Sequence, residues 1–442
     1  MRQRIGVEHL KAPITNQEVE GALAKAERAV NDLSQLPVTW LDFCNEKLSI
    51  ASESIGFLIR QRVQIHKRGG YPSRELEYLK LIERQIEELK QVYLSFYRLA
   101  PGGLIHQLRG QEPEIYGWLM LQGELGSELE NLLCGLSLLE DIDAKTAMVI
   151  AVQSPVESMD STLSELIEGN ATSSAFYFEC LRVRQTLSVS LIKRWHKASI
   201  ISSHVALPLL ALQDVKEGID WLNDNAGSEQ YLFERLITKR DRGTWFRQSF
   251  GIEPNGLPSA QVLTYAKLLE LKEFEAFDIS SSLAPVDFAL SGDWKLVPPQ
   301  IIEHLESLEE AEGEIWLQAL YVVYGKLLPL TPQDVGVEYE WEEVVDLLNE
   351  WVEDEKYIQN LQSRLGYALS FESTLAAMQD ANVDVLFRDW LWRQLCIQSR
   401  ATVPWDMAMP IHQQDWNFNN LKAAPSASER FNLRNSNAVM GY

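Results

Sequence analysis

The chain has 442 residues, of which 46% are hydrophobic and 10% aromatic, and its formal net charge is −23. This composition provides enough apolar material for a large core, which excludes a wholly disordered chain, and the length allows two or three domains. No run of 18 uncharged apolar residues occurs and the first residues include no apolar segment, so we expect neither a membrane span nor a secretory signal. The four cysteines lie far apart, which favours free thiols and a cytoplasmic location over a disulfide framework.

The charge is unevenly distributed. Residues 1–110 carry 16 basic and 13 acidic side chains, whereas residues 301–360 carry two basic and 16 acidic ones. Nucleic acid is therefore not an expected partner of the acidic part, because phosphate binding requires a basic surface. We expect a partner protein with a basic surface, attracted by this charge. The alternative is that the acidity only maintains solubility.

Two long helices are predicted near the N-terminus, after a first helix over residues 17–33. They cover residues 38–66 and 74–99, and the Gly-Gly-Tyr-Pro break at 69–72 separates them. The apolar residues of the second helix recur every three or four positions, as at Leu79, Ile82, Ile86 and Leu89. This pattern predicts an antiparallel hairpin, either inside a helical bundle or as a dimerising coiled coil.

A short polar turn recurs along the rest of the chain. Each copy ends one apolar helical run and precedes another, and its Ser or Asp can accept a hydrogen bond from the free amides at the next helix start. The four copies are Ala151–Ser154, Ala211–Asp214, Ala289–Asp293 and Ala377–Asp380. They start 60, 78 and 88 residues apart, which fits two helical pairs per interval. We therefore predict a stacked helical solenoid; a non-repetitive helical assembly is the alternative.

Two segments that combine Trp with Arg, residues 240–247 and 388–393, are candidate partner-binding sites, because these residue types are typical interface anchors. The alternative is packing within the chain, although Trp390 and Trp392, two positions apart on a helix, cannot both face one core. A third candidate is the acidic run at 309–314, which is expected to be a solvated loop and does not have the ligand spacing of a calcium loop. The candidate residues are Arg242, Trp245, Arg247, Arg388, Trp392, Glu309, Glu310 and Glu312.

The sequence contains no metal-ligand spacing, no phosphate-binding loop and no serine-nucleophile motif. We therefore predict no cofactor and no enzymatic activity. A helical enzyme whose catalytic residues are scattered along the chain remains an alternative.

Part of the chain resembles a known type of repeat protein. Residues 287–294, which lead into Val297–Ile302, are similar to a HEAT-type repeat in which a small-Leu-Gly-Asp turn precedes a helix that starts with proline. Residues 364–369, 388–393 and 404–416 resemble the C-terminal end of an uncharacterised proteobacterial family of HEAT-like proteins. The resemblance covers residues 285–420. It implies a scaffold in the bacterial cytoplasm associated with type VI secretion, and it identifies no functional residues.

These observations together predict an all-α protein. Residues 1–142 are expected to form a helical bundle or hairpin, residues 143–400 an irregular HEAT-like solenoid, and residues 401–442 an extended segment and tail. The predicted function is that of a non-enzymatic scaffold, adaptor or effector chaperone that binds another protein. A structural subunit that self-assembles as a homo-oligomer is the main alternative.

Overall fold

The structure is a computed structural model. It describes residues 39–67, 76–99, 112–169, 173–225, 229–251, 258–274, 277–293, 295, 298–359 and 361–437, with a few single positions between 17 and 28. Within these residues the fold is all-α, as predicted, with 22 α-helices and one two-stranded hairpin. The predicted helix at 17–33 lies mainly outside the described residues, as do the break at 69–72 and the last five residues.

Eleven of the described helices lie between residues 39 and 224. They are α1 (Thr39–Lys67), α2 (Leu76–Leu99), α3 (Pro113–Met120), α4 (Gly123–Ser127), α5 (Leu129–Leu139), α6 (Ala144–Val152), α7 (Met159–Glu168), α8 (Ser174–Val183), α9 (Val189–Lys197), α10 (Ser203–Leu212) and α11 (Lys216–Asp224). Helices α1 and α2 pack against each other as the predicted hairpin. Their contact includes a hydrogen bond of 2.5 Å between the hydroxyls of Ser52 and Tyr93. Of the predicted stripe, Leu79, Ile82 and Ile86 are buried and Leu89 is half-buried.

The described residues from 229 onwards form eleven more α-helices and the β hairpin. The helices are α12 (Leu232–Thr238), α13 (Arg242–Phe250), α14 (Ala260–Leu268), α15 (Ala284–Ser291), α16 (Pro298–Leu305), α17 (Glu310–Tyr324), α18 (Trp341–Glu353), α19 (Phe371–Met378), α20 (Val385–Ser399), α21 (Ile411–Ala423) and α22 (Pro425–Asn437). Strands β1 (Ser363–Arg364) and β2 (Tyr367–Ala368) pair antiparallel around Leu365 and Gly366, which both have positive φ. Helix α20 packs against six other helices, so it is the centre of this half.

All four recurring turns join two helices, as the sequence predicts: α6 to α7, α10 to α11, α15 to α16 and α19 to α20. In the first, third and fourth turns the polar residue accepts from the backbone two residues further on, within the turn and not at the start of the next helix; in the first turn Ser154 Oγ accepts from the N–H of Val156 at 3.3 Å. The carboxylates of Asp293 and Asp380 accept hydrogen bonds from the backbone N–H groups of Lys295 and Asn382, at 3.0 and 2.9 Å. A side chain that bonds the backbone two residues further on fixes the bend itself.

The described apolar residues form two large cores. One extends from Leu48 to Trp195 and crosses the boundary predicted at residue 142; the other extends from Leu232 to Phe431. Two small clusters around Ile192 and Ala211 lie between them in sequence. The division into separately folding domains stays a prediction.

The C-terminal segment differs from the expected extended tail, because residues 411–437 form helices α21 and α22. Phe418, Leu421 and Phe431 are at most 1% exposed and belong to the second core. Ala408 and Met409, in the non-helical stretch before α21, belong to the first core. This stretch, residues 400–410, therefore contacts both cores, and we call it the linking segment.

Candidate protein-binding groove

A groove of about 390 Å³ lies where helices α8–α10 of the first half meet α12, α20 and the linking segment of the second. We call it the aromatic groove. Its lining side chains are mostly apolar, with a few polar residues at the edge. They are Arg182, Gln185, Leu187, Ile192, Leu209, Leu212, Gln213, Phe233, Trp392, Thr402, Val403, Pro404 and Trp405.

Three aromatic rings form one wall of the groove. The ring centroids of Phe233 and Trp392 are 4.7 Å apart, and those of Trp392 and Trp405 are 6.5 Å apart. Hydrogen bonds orient both indoles: Trp392 Nε1 donates to the carbonyl oxygen of Val403 at 2.9 Å, and Trp405 Nε1 donates to Gln414 Oε1 at 3.0 Å. With their only polar atoms satisfied, the rings offer an apolar wall of defined orientation.

Another part of the groove lining is aliphatic. Leu187 precedes α9, Leu209 and Leu212 lie on α10, and all three are half-buried. Leu187 and Leu209 pack against the small cluster that contains Ile192, which is fully buried on α9. The groove therefore combines a fixed aromatic wall with an aliphatic wall that is partly open to solvent. An apolar side chain inserted into this groove would be removed from water, at about 25 cal/mol per Å² of buried apolar surface.

Among the described lining residues, the one charged side chain is an arginine that already has partners. Arg182 pairs with Glu179 on its own helix, and its Nη2 lies 3.3 Å from Asp406 Oδ2 in the linking segment. Burial opposes the charge of Arg182, but the two carboxylates outweigh this effect and raise its pKa. Glu179 and Asp406 do not line the groove themselves, but with Arg182 they place one net negative charge beside it, which favours a cationic neighbour.

Of the residues predicted to bind a partner, only Trp392 lines this groove. As the spacing required, Trp390 and Trp392 have different environments: Trp390 packs on Tyr265 and Trp392 packs on the linking segment. Arg388 is 1% exposed, and its guanidinium donates to backbone carbonyls, including that of Val383 at 2.8 Å. It fixes the fourth recurring turn and cannot contact a partner in this conformation.

The candidates on α13 also differ from the expectation. Trp245 is 6% exposed and lies under the guanidinium of Arg235, with 4.6 Å between the guanidinium carbon and the ring centroid. Arg242 donates to the carbonyl oxygen of Ile397 and so connects α13 to α20. Only Arg247 remains largely exposed, where it pairs with Glu273. Most of this Trp-Arg segment therefore packs within the chain, which is the alternative to partner binding.

The acidic candidates are exposed, but they do not form a loop. Glu309 is the N-cap of α17, and Glu310 and Glu312 lie in its first turn. Carboxylates at this position interact favourably with the helix macrodipole, which gives these residues a structural role. One of these carboxylates also acts on a neighbour within the helix: the pKa of Glu314 is raised by burial and by the charge of Glu310.

Sequence reasoning missed Phe233 and Trp405, which complete the aromatic wall. Phe233 lies on a short helix that followed no recurring turn. Trp405 lies in a stretch expected to be extended, where no periodicity marks a buried residue. The sequence offered one signal for this wall. Trp390 and Trp392 were expected to face different surroundings, and this requires a second apolar surface near α20.

Among the described residues, no group of three or more His, Cys, Asp or Glu side chains is arranged to hold a metal ion. None of the described helices combines the length and the apolar character needed to cross a membrane. The chain matches no protein-family profile, no curated protein and no solved structure.

Proposed function

We propose that this protein is a non-enzymatic adaptor that binds a short segment of another protein in the aromatic groove. The observation that carries the proposal is the cluster of Phe233, Trp392 and Trp405, whose rings are held in place in a groove that half-buried leucines also line. Fixed aromatic side chains provide large contact area at low entropic cost, and Trp is among the residues enriched at the energetic centres of interfaces.

The chemistry of the groove indicates what kind of segment binds there. Its two walls suit one large aliphatic or aromatic side chain as an anchor. The carboxylates of Glu179 and Asp406 outnumber Arg182 at the edge, which suits a Lys or Arg next to that anchor. The net charge of −23 adds long-range attraction for a basic partner. The more specific role of an effector chaperone linked to type VI secretion rests only on the resemblance of residues 285–420 to HEAT-like proteins.

Selection from a random peptide display library against the full chain tests this proposal and does not require the identity of the partner. We expect the enriched peptides to share a large apolar residue beside a basic one. Leu212→Asp, which introduces a charge into the groove wall, should weaken a selected peptide at least tenfold. Leu361→Asp is the matched control, because Leu361 is 67% exposed and lies outside the groove.

The selected peptide should keep its affinity for the Leu361→Asp variant. Equal affinity for both variants would place the binding site elsewhere and refute the proposal. Enrichment of peptides without an apolar anchor would refute it as well.

Self-association through the α1–α2 hairpin is a second candidate function, favoured by one observation. Ile50 and Phe57, seven residues apart on one face of α1, are 50% and 53% exposed. Apolar side chains that repeat on one exposed helix face suit a helix–helix contact between two copies. Light scattering should then show a mass above that of one chain, and Phe57→Lys should reduce it to the monomer.

A further inference from the structure

Three polar side chains from consecutive helices meet where α9, α10 and α11 come together. His196 lies in the last turn of α9, Ser203 is the first residue of α10, and Glu217 lies in the first turn of α11. Ser203 Oγ is 3.0 Å from His196 Nε2, and Glu217 Oε1 is 4.0 Å from His196 Nδ1. We call these three residues the serine cluster. None of them lines the aromatic groove.

The two ring nitrogens of His196 face different partners. We assign the tautomer with Nδ1–H, because this N–H then faces the carboxylate of Glu217 and Nε2 is left to accept from the hydroxyl of Ser203. The order hydroxyl, imidazole, carboxylate is the one in which an imidazole can remove the proton of a serine. The three residues come from separate helices, so no linear motif in the sequence connects them.

The start of α10 adds hydrogen-bond donors beside the hydroxyl. Ser202 is the N-cap but makes no side-chain cap hydrogen bond, and the described residues provide no acceptor for the backbone N–H groups of Ser203 and His204. The next two N–H groups, those of Val205 and Ala206, donate to the carbonyl oxygen of Ser202 at 3.1 and 3.0 Å. Free N–H groups at the positive end of a helix dipole stabilise an oxyanion that develops next to them.

The serine cluster is accessible to a reagent. The side chains of His196 and Glu217 are 25% and 55% exposed, and Ser203 is half-buried. Because the cluster lies at the surface, a small acyl donor can reach the hydroxyl directly. Such a donor must supply its own reactivity, which points to an activated ester.

We propose that Ser203 is a nucleophilic serine that takes an acyl group from an activated ester. Its Oγ forms a bond to the acyl carbon, and the bond between that carbon and the leaving oxygen breaks. His196 accepts the hydroxyl proton and passes it to the leaving group, while the N–H groups of Ser203 and His204 stabilise the oxyanion. Glu217 positions the imidazole. The product is an ester of Ser203, so this is a modification site of the chain, and it does not depend on the function proposed for the aromatic groove.

A fluorophosphonate probe tests the proposal on the full chain, because it undergoes the same attack by a serine oxygen, loses fluoride and leaves a stable ester. Peptide mass spectrometry should locate the probe on Ser203. General-base assistance typically contributes about 10²–10⁴-fold to a rate, so His196→Gln should slow labelling at least tenfold. His412→Gln, at an exposed position, is the matched control and should label within twofold of the wild-type rate.

Ser161 is the control within the chain, because it is an exposed serine in the first turn of α7 whose hydroxyl donates to the carbonyl oxygen of Ser158. Glu217→Gln should slow the labelling of Ser203, and Glu217→Asp, which keeps the carboxylate, should recover most of the rate. p-Nitrophenyl acetate should acetylate Ser203 faster than Ser161. Circular dichroism melting verifies that each variant is folded. The proposal is overturned if either reagent modifies Ser203 no faster than Ser161, or if His196→Gln is labelled at the wild-type rate.

Discussion

The Cα atom of Gly218 on α11 packs directly against the backbone of Ala211 on α10. A methyl group at Gly218 would lie 2.4 Å from the carbonyl oxygen of Leu207 and 2.5 Å from the nitrogen of Ala211. Ala211 begins the second recurring turn, and it is completely buried. The close packing of these two helices therefore depends on the absence of a side chain at Gly218. This glycine lies outside the turn motif.

Gly218→Ala is expected to destabilise the protein. Alanine favours a helix by up to about 1 kcal/mol over glycine, but the methyl group would push two backbones apart, and overpacking typically costs about 1–3 kcal/mol or more. Gly243→Ala is the matched control, because the nearest atom to its new methyl group would be 3.7 Å away. In urea unfolding we expect Gly218→Ala to lower the midpoint and Gly243→Ala to keep or raise it. Equal midpoints for the two variants would contradict the close packing.

The hairpin formed by α1 and α2 offers a second test. Ile86 is 4% exposed between the two helices, whereas Leu81 on the same helix is 38% exposed. Ile86→Asp places a carboxylate in an apolar contact and should cost several kcal/mol, on the order of 3–5. Leu81→Asp should change the free energy of unfolding much less. Equal stability of the two variants in thermal melting would contradict the burial of Ile86 between the two helices.

Local periodicity was sufficient to predict the all-α fold, the α1–α2 hairpin and the four helix pairs joined by polar turns. Each of these depends on residues close together in sequence, where the spacing of apolar positions and the turn residues determine the structure. The burial of Ile82 and the turn geometry at Asp293 are of this kind.

Features that depend on distant residues could not be predicted. Phe233 and Trp392 meet because α12 packs on α20, and Trp405 joins them from the linking segment, contacts that no local pattern encodes. The sequence predicts Arg388 to be an interface residue. It is buried instead, and burial is possible because backbone carbonyls accept hydrogen bonds from its guanidinium. Residues 425–437 contain many Asn and Ser residues and read as a tail. Phe431 nevertheless anchors this helix in the second core.

The acidic start of α17 changes what charge reversal is expected to do. In a loop, Glu310→Lys/Glu312→Lys would leave stability unchanged, but in the first helical turn the lysines oppose the helix dipole and should lower the melting temperature. Glu350→Lys/Glu353→Lys is the matched control, because these residues lie at the C-terminal end of α18, where cations are favourable. Calorimetry should therefore show shifts of opposite sign, or a loss in the first variant only. A loss of the same size in both would mean that overall charge, not helix position, governs the effect.

The same acidic residues remain candidates for attracting a basic partner. If they do so, reversing Glu309, Glu310 and Glu312 to Lys should slow association with the peptide selected on the aromatic groove. Added salt should slow association with the wild type in the same way, because both changes reduce long-range attraction. Stopped-flow association rates measure this directly. Rates that respond neither to salt nor to the reversal would assign the acidity to solubility alone.

His66 makes the contact between the first core and the linking segment sensitive to pH. It is 3% exposed, and its Nδ1 lies 3.4 Å from the carbonyl oxygen of Met407. The amide nitrogen of Gln153 is 3.1 Å from His66 Nε2, and the carbonyl of that amide accepts from Arg62. Gln153 thus donates to a neutral His66, whose Nδ1–H donates to Met407. Protonation of His66 Nε2 would direct its N–H at the amide N–H of Gln153, so that two donors face each other beside the buried side chain of Arg62.

Burial, and to a smaller extent the charge of Arg62, lower the pKa of His66 from 6.5 to about 4. The unfolded chain therefore binds a proton near pH 6.5 that the folded chain accepts only near pH 4. Stability from this group is complete above pH 6.5 and declines as the pH falls towards 4, by up to about 3 kcal/mol. Urea unfolding of His66→Gln should show a shallower loss over this range than the wild type, since the carboxylates common to both proteins cancel. His412→Gln, at an exposed position, should keep the wild-type slope. Parallel slopes for all three proteins would mean that His66 accepts its proton without disturbing the linking segment.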